Sequence, residues 1–509
     1  MKNITVKDIL RECNGKLIYG KEETICENFE TDTRIIKNGD VFLGLKGENF
    51  DGNKFFETAL EKGATVCILQ GVEITQNIKE KYKDASIIIV EDTLDALQKI
   101  AKYKRSLYNI PVVAITGSVG KTSTKDIVAN VMAKKFNVLK TQGNFNNHIG
   151  LPKTILNLRE HDALVVEMGM NHLREISKLS YIANPTLCVI TNIGTSHIGE
   201  LGSRENILKA KLEILEGAKE SAPLIINNDN DMLFNWNKTA KIQNKIITFG
   251  IENKSNVMAQ NIQLNENGST YTFMECDNVG AGCHPCQQNA EKYLIQNNEN
   301  VGAHSIAHVT TNNRSNVGAD ASVCPINVFV PIGGKHFVYN SLCAIAVGKY
   351  FNIEINKIIE GIKEFELTKR RMEVTKNKIG ATIINDAYNA SYDSMKASIE
   401  YMAGIKGNKK IAVLGDMLEL GEFEKELHEK VGEEVAKNKI DILITVGKAA
   451  KHIAKKAEEL NMNSKNIFEY ETKEEAINKI KEIMQKDDVI LIKASNGMKF
   501  DEIVKQITE

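Results

Sequence analysis

The sequence predicts an α/β protein of three domains, and three observations carry that prediction. A chain of 509 residues is longer than a single hydrophobic core organises, at roughly 150 residues per domain. A β-branched run beginning at Val112 breaks at Gly117 and Gly120 and continues as a polar, helix-forming stretch, which reads as strand, tight loop, helix. After Phe365 the apolar runs ATIIND, KIAVLG, DILITVG and DVILIKA alternate with amphipathic segments, the pattern of a doubly wound, Rossmann-like sheet. The expected divisions are 1–109, a smaller α/β N-terminal domain; 110–368, a central domain with a P-loop-type parallel sheet; and 369–509, the Rossmann-like C-terminal domain.

Hydrophobic content of 42% and charged content of 26% are those of a globular protein. With a formal net charge of -1 there is no global basic field, so binding to nucleic acid through charge alone is not expected. The N-terminus, MKNITVKDILREC, lacks a long apolar core, and no later stretch reaches the ~20 apolar residues of a membrane span. No membrane insertion and a cytoplasmic location are therefore expected. The nine cysteines are an odd number for a disulfide framework. Cys13, Cys26, Cys67, Cys188 and Cys343 read as reduced thiols packed as small hydrophobes.

In the first unit, Thr31-Asp32-Thr33-Arg34 precedes a glycine-broken apolar run containing Gly44, Lys46 and Gly47. Hydroxyls and an arginine beside these glycines can hold a diphosphate, and turn capping explains Thr and Asp equally well. Both readings stay open on these residues alone.

The central unit starts with Thr116-Gly117-Ser118-Val119-Gly120-Lys121-Thr122-Ser123. Such a junction binds phosphate: glycines let N–H groups converge on oxyanions, and the helix N-terminus adds its positive dipole end. Lys121 supplies charge, and Thr122 offers a hydroxyl to Mg²⁺. The form is shorter than G-x-x-x-x-G-K-[ST], which would need glycine where Ile115 stands. Next, Thr141–Pro152 holds Asn144, Asn146, Asn147 and His148 in a loop poor in core-forming residues, read as a ligand loop. Glu167 ends an apolar strand, where open α/β sheets gather ligands, and is a candidate metal ligand beside Thr122.

Further along, His197 follows another strand, and alone reads as a capping or hydrogen-bonding residue. Lys209 and Lys211 lie on an amphipathic helix, and periodicity alone puts them on a solvated face. From about Cys276 to Cys324 periodicity is lost and Asn-Val-Gly-Ala recurs. Cys283-x-x-Cys286 with His304 and His308 has some of the spacing of a zinc site, yet the irregular repeats favour a low-complexity insertion. Order resumes with a strand, a Gly333-Gly334 turn and a helix carrying Asn340. In the third unit the first strand exits into Asp386–Ser391 and the second into Gly415–Gly421, both at the carboxyl edge.

Taken together, TGSVGKTS, GNFNNHIGLP, EMGM, TNIGTSHIGELGS, KAKLEI, NDAYNA and GDMLELG occur in the order found in the Mur ligases. The chain resembles that family from about Thr31 to Lys493, apart from the 276–324 segment. It is most similar to the branch that joins D-alanyl-D-alanine to UDP-N-acetylmuramoyl-tripeptide. The resemblance implies an ATP-dependent amide ligase of peptidoglycan precursor synthesis, acting through an acyl phosphate. Its partners would be those two small-molecule substrates, and the chain a monomer.

By the same resemblance, Lys121 and the loop amides hold the ATP phosphates, with Asn340, Arg371 and Asp386 also on the nucleotide. Thr122 and Glu167 would hold a first Mg²⁺, and Glu167 with His197 a second. Lys211 matches the family lysine that is carbamylated, which replaces the solvated-face reading: CO₂ addition turns a cation into a carboxylate-like metal ligand. Asn389 would help place the dipeptide. Thr31 to Arg34 with Lys46 and Gly47 match the region that holds the UDP moiety. This chain departs from the family pattern at Asn53, Phe337, Tyr392 and Asn496, where relatives usually carry histidine, asparagine, proline and arginine.

Overall fold

The computed structural model describes residues 3–265, 268–275, 326–366, 368 and 370–508. The 276–324 segment, with the Cys283, Cys286, His304 and His308 zinc question, lies outside the described residues.

Near the N-terminus β1 (Ile4–Thr5) pairs antiparallel with β3 (Ile25–Cys26). A five-stranded sheet contains β2 (Lys16–Tyr19), β4 (Phe29–Glu30), β5 (Val41–Leu43), β6 (Val66–Leu69) and β7 (Ser86–Ile89) in the order β2-β7-β6-β5-β4. All its pairings are parallel except β2 with β7. Helix Thr93–Ser106 follows, started by Asp92, whose side chain accepts the Asp95 N–H. Leu94 and Gln98 on its first turns face the central cleft.

The second sheet has nine strands: β8 (Val112–Thr116), β9 (Val138–Lys140), β10 (Ala163–Glu167), β11 (Leu187–Ile190), β12 (Leu224–Asn227), β13 (Ile246–Gly250), β14 (Val257–Asn265), β15 (Gly268–Glu275) and β16 (Ile326–Val330). Their order is β16-β15-β14-β13-β12-β11-β8-β10-β9. The strands from β8 to β14 pair in parallel, and the antiparallel β14–β15–β16 edge completes the sheet. β8, β10 and β11 are buried along their whole length, which is why they read as continuous apolar runs and not as alternating ones. The long hairpin of β14 and β15 escaped the sequence reading. Its alternation is broken between Gln260 and Gln263, where the register shifts.

The third sheet contains β17 (Glu373–Lys376), β18 (Thr382–Asn385), β19 (Lys410–Gly415), β20 (Ile442–Val446), β21 (Ile467–Tyr470) and β22 (Val489–Lys493). Its order is β17-β18-β22-β19-β20-β21, parallel but for the β17 edge. The five cysteines read as packed thiols are all free and buried.

Candidate active site

Carboxyl ends of β8, β10, β11 and β12 and of β18 and β22 border one cavity of about 720 Å³, as expected for ligand sites in open α/β sheets. Its floor is the phosphate loop. Gly117 has φ +151 and a Cβ there would lie 1.9 Å from the Thr191 hydroxyl, while Gly120 has φ +82 and leads helix Lys121–Met132. No side chain fits the first position, and the second backbone is one that glycine adopts freely. Asn192, directly after β11, clamps the loop: its Oδ1 accepts the Val119 N–H at 2.9 Å and its Nδ2 donates to the Val119 carbonyl at 2.9 Å.

Ser118, Val119, Gly120, Lys121, Thr122 and Ser123 all border the cavity. Lys121 folds back, its Nζ donating to the carbonyls of Gly117 (2.8 Å) and Ser118 (3.3 Å). Burial, and the neighbouring Arg371 guanidinium, push its pKa down against the pull of Glu167. Thr122 donates its hydroxyl to Glu167 Oε2 at 2.8 Å, and Asn146 Nδ2 donates to Glu167 Oε1 at 2.8 Å. Asn144, Asn147 and His148 line the cavity on the same side. Asn147 spends its Oδ1 on the N–H groups of Ile149 and Gly150, so it shapes the loop.

His197 borders the cavity with φ +63. Burial, with the ammonium groups of Lys121 and Lys211, holds its imidazole at about 4 against the pull of the Glu175 and Glu200 carboxylates, and the Glu419 carboxylate lies 2.9 Å from Nδ1. Lys211 lies behind this wall, 2% exposed, while Lys209 is exposed. Two positions apart on a helix is about 200°, so the two lysines cannot share a face, and the solvated-face reading fails for Lys211. Burial and the nearby Lys121 drive the Lys211 pKa well below 10.5, and among the described residues no carboxylate pairs with it.

Asn340 lines the cavity, but its Oδ1 is held 3.1 Å from the Thr124 hydroxyl and lies 3.2 Å from where a Gly120 Cβ would be. It therefore props the phosphate loop from behind. From the third sheet come Arg371, its guanidinium 3.8 Å from the Tyr388 ring centroid, Asp386 and the exposed Asn389. Asp386 is spoken for: it pairs with Lys493, accepts the Ser398 hydroxyl at 2.7 Å and the Met372 N–H at 3.1 Å.

Other expected residues are not brought to the cavity. Thr116 is buried, its hydroxyl donating to the Met168 carbonyl at 2.9 Å, and Gly117 presses on Thr191. Arg34 grips Asp32 on the outside of the first sheet, with Nη2 to Oδ2 at 2.7 Å, and Lys46 and Gly47 are exposed. Thr31 and Thr33 are half-buried in the same turn. Lys153 Nζ, 3.4 Å from Thr31 Oγ1 and 5.9 Å from the Phe145 ring centroid, links that turn to the Asn144–His148 loop.

The sequence reading missed Lys493 and Asn192 as site residues, although each follows or ends an apolar strand as Glu167 does. Asn53, in place of a histidine, is buried and structural, accepting the Gln70 N–H at 3.0 Å and donating to Asp51 at 2.8 Å.

The donors can be tested for metal. Among the described residues no three His, Cys, Asp or Glu side chains are grouped to hold an ion. Thr122, Glu167 and His197 offer a hydroxyl, one carboxylate and one imidazole, which is one anion short of a good magnesium site. A carbamate on Lys211 would supply that anion, and a buried amine with a depressed pKa and no counter-ion is the species that adds CO₂. The residues fit the group.

Comparison with known proteins gives a consistent pattern. Three family models match: "Mur ligase family, catalytic domain" over 27–105, "Mur ligase middle domain" over 115–348 and "Mur ligase, glutamate ligase domain" over 370–496. The UDP-N-acetylmuramoyl-tripeptide--D-alanyl-D-alanine ligase of Bacillus subtilis is 37% identical over 508 residues, covering 99% of this chain and 98% of the relative. The enzyme of the same name from Synechocystis is 31% identical, covering 99% and 96%. Among solved structures, a crystal structure of MurF from Acinetobacter baumannii has a TM-score of 0.81 at 26% identity, covering 100% and 99%. MurF from Thermotoga maritima in complex with ADP has a TM-score of 0.75 at 26% identity, covering 95% and 97%.

Proposed function

The chain belongs to the Mur ligase family, and from that premise we propose which of its residues carry the reaction. It is an ATP-dependent ligase that adds D-alanyl-D-alanine to UDP-N-acetylmuramoyl-tripeptide in peptidoglycan synthesis. We assign UDP-substrate binding to 1–109, ATP binding to 110–368 and dipeptide binding to 369–509.

The reading is carried by one observation: Lys121, Thr122, Glu167 and His197 of the second sheet's domain and Arg371 and Lys493 of the third's line one cavity. Amide synthesis must bring a carboxylate to a triphosphate, two anions that repel. The loop N–H groups and Lys121 neutralise the phosphates, and Arg371 adds charge from the opposite wall. Magnesium held by Thr122, Glu167, His197 and carbamylated Lys211, in one or two sites, would supply further charge neutralisation. The tripeptide carboxylate takes the terminal phosphoryl group of ATP, and ADP is the leaving group. The dipeptide amine, placed by Asn389 and its neighbours, attacks the acyl phosphate, and phosphate leaves. Walls from two sheets exclude water from that intermediate.

Thr31 to Arg34, with Lys46 and Gly47, would hold the uridine diphosphate, and the Lys153–Thr31 contact lays a path from there to the Asn144–His148 loop. We place the enzyme in the cytoplasm as a monomer; no helix among the described residues is long and apolar enough to cross a membrane. The test is acceptor dependence: purified protein with UDP-tripeptide, ATP and Mg²⁺ releases phosphate on addition of D-alanyl-D-alanine. Release that is the same without any amine would overturn the reading in favour of a nucleotide-driven switch.

A further inference from the structure

The segment Gly194–Leu201 of the central sheet's domain is gripped from the third sheet's domain at two points. Asp393 Oδ2 accepts the Thr195 N–H at 2.8 Å and its hydroxyl at 3.0 Å. Glu419 lies 2.9 Å from His197 Nδ1, and the Glu419 carbonyl accepts the Gly199 N–H at 3.2 Å. Two glycines make the approach possible. A Cβ on Gly194 would lie 2.3 Å from Asp393 Oδ2, and one on Gly199 would lie 2.6 Å from the Glu419 carbonyl oxygen. Between the grips stands His197, whose Nε2 has no partner among the described residues and whose ring borders the cavity.

We propose that Glu419 is a positioning residue: by accepting a hydrogen bond from Nδ1–H it fixes the tautomer and orientation of His197, leaving Nε2 as the free ligand atom, and does so only while the two domains are docked. The proposal rests on His197 as a metal ligand. The physical reason is that an imidazole ligates through its unprotonated nitrogen, and a carboxylate on the other nitrogen settles which one that is. Because donor and acceptor sit on different domains, the bond couples domain docking to completion of the site. An open molecule would retain Thr122 and Glu167, both in the central sheet's domain, and lose the ordered imidazole.

The test uses the full-length, metal-free protein with ¹⁵N-labelled histidine, the His197 signals assigned by their loss in His197→Gln. Wild type shows the proton on Nδ1. Glu419→Ala shifts the population toward the Nε2–H form, and Glu419→Gln, which still offers an acceptor oxygen, keeps the Nδ1–H form. Gly199→Leu leaves Glu419 in place but prevents the approach, and reproduces Glu419→Ala. With Mn²⁺ as the probe, read by electron paramagnetic resonance, Glu419→Ala weakens binding about tenfold or more, with Glu419→Gln closer to wild type. An unchanged tautomer in Glu419→Ala overturns the positioning role, and a wild-type tautomer in Gly199→Leu overturns the coupling to docking. Unchanged Mn²⁺ affinity in His197→Gln overturns the metal-ligand reading itself, a separate failure.

Discussion

The phosphate-loop floor of the cavity and the Thr31–Arg34 turn of the first sheet both gather polar groups near glycines, but they are built in opposite ways. On the floor, Lys121, Thr122, Glu167 and Lys211 are enclosed. Lys121 bonds back to its own loop and Thr122 to Glu167 at the end of a neighbouring strand, and among the described residues Lys211 has no counter-ion. On the turn, Arg34 has a side-chain exposure of 87% and closes on Asp32 two residues away. Burial gives the floor its chemistry by shifting charge states and excluding water, and the same burial makes it costly to fold. The turn costs little, because its charged groups stay in water.

Lys211→Met gives the largest separation between the two. Activity, read as phosphate release, is expected to fall by roughly 10²–10³-fold, the scale for losing one preorganised electrostatic group. Stability is expected to rise, because an unpaired buried amine gives way to an apolar side chain. The linkage sign follows from the depressed pKa. Below 10.5 the unfolded chain protonates this lysine and the folded chain resists, so stability climbs as pH rises toward 10.5. In carbonate-free buffer Lys211→Met should flatten that climb, and added bicarbonate should stabilise the wild type alone. A variant that loses stability along with activity would mean that Lys211 is a packing residue.

Thr122→Ala comes next. It removes one of the two side-chain donors on Glu167, leaving Asn146. The apparent Mg²⁺ requirement should rise about tenfold or more, with a stability cost of about 1–3 kcal/mol for the carboxylate oxygen left without its partner. Thr122→Ser restores both. An equal loss in the alanine and serine variants would contradict a hydroxyl role.

Legibility in the sequence followed the same division. Residues on the floor were readable because strand, glycine turn and helix start leave a pattern of apolar run, small residue and cation, and Glu167 stands where an apolar strand ends. Lys211 was unreadable from periodicity: nine helical residues, Arg204–Leu212, carry too few apolar positions to tell an inward lysine from an outward one. Only the order of motifs singled it out. Contacts between sheets, such as Glu419 with His197 and Asp393 with Thr195, join residues about 200 positions apart, and no local pattern encodes them. The β14–β15 hairpin was missed for a different reason, since a register shift hides its alternation.

Arg34→Ala carries the smallest expected effect on the protein itself. Asp32, held at about 2 by its hydrogen bonds from Arg34, would contribute stability that is present above 3.8 and is lost as pH falls through 2. An exposed pair in high dielectric makes that contribution slight, so thermal unfolding at neutral pH should be unchanged. If the turn holds the diphosphate, the loss appears elsewhere: KM for the UDP-tripeptide rises about tenfold, the scale of one charge-assisted contact, while kcat is kept. That split is what distinguishes the two regions, because a residue acting only in binding raises KM alone and a residue of the floor lowers kcat. A fall in kcat with unchanged KM would place Arg34 among the groups that act on the reacting atoms, against its position on the outer surface of the first sheet.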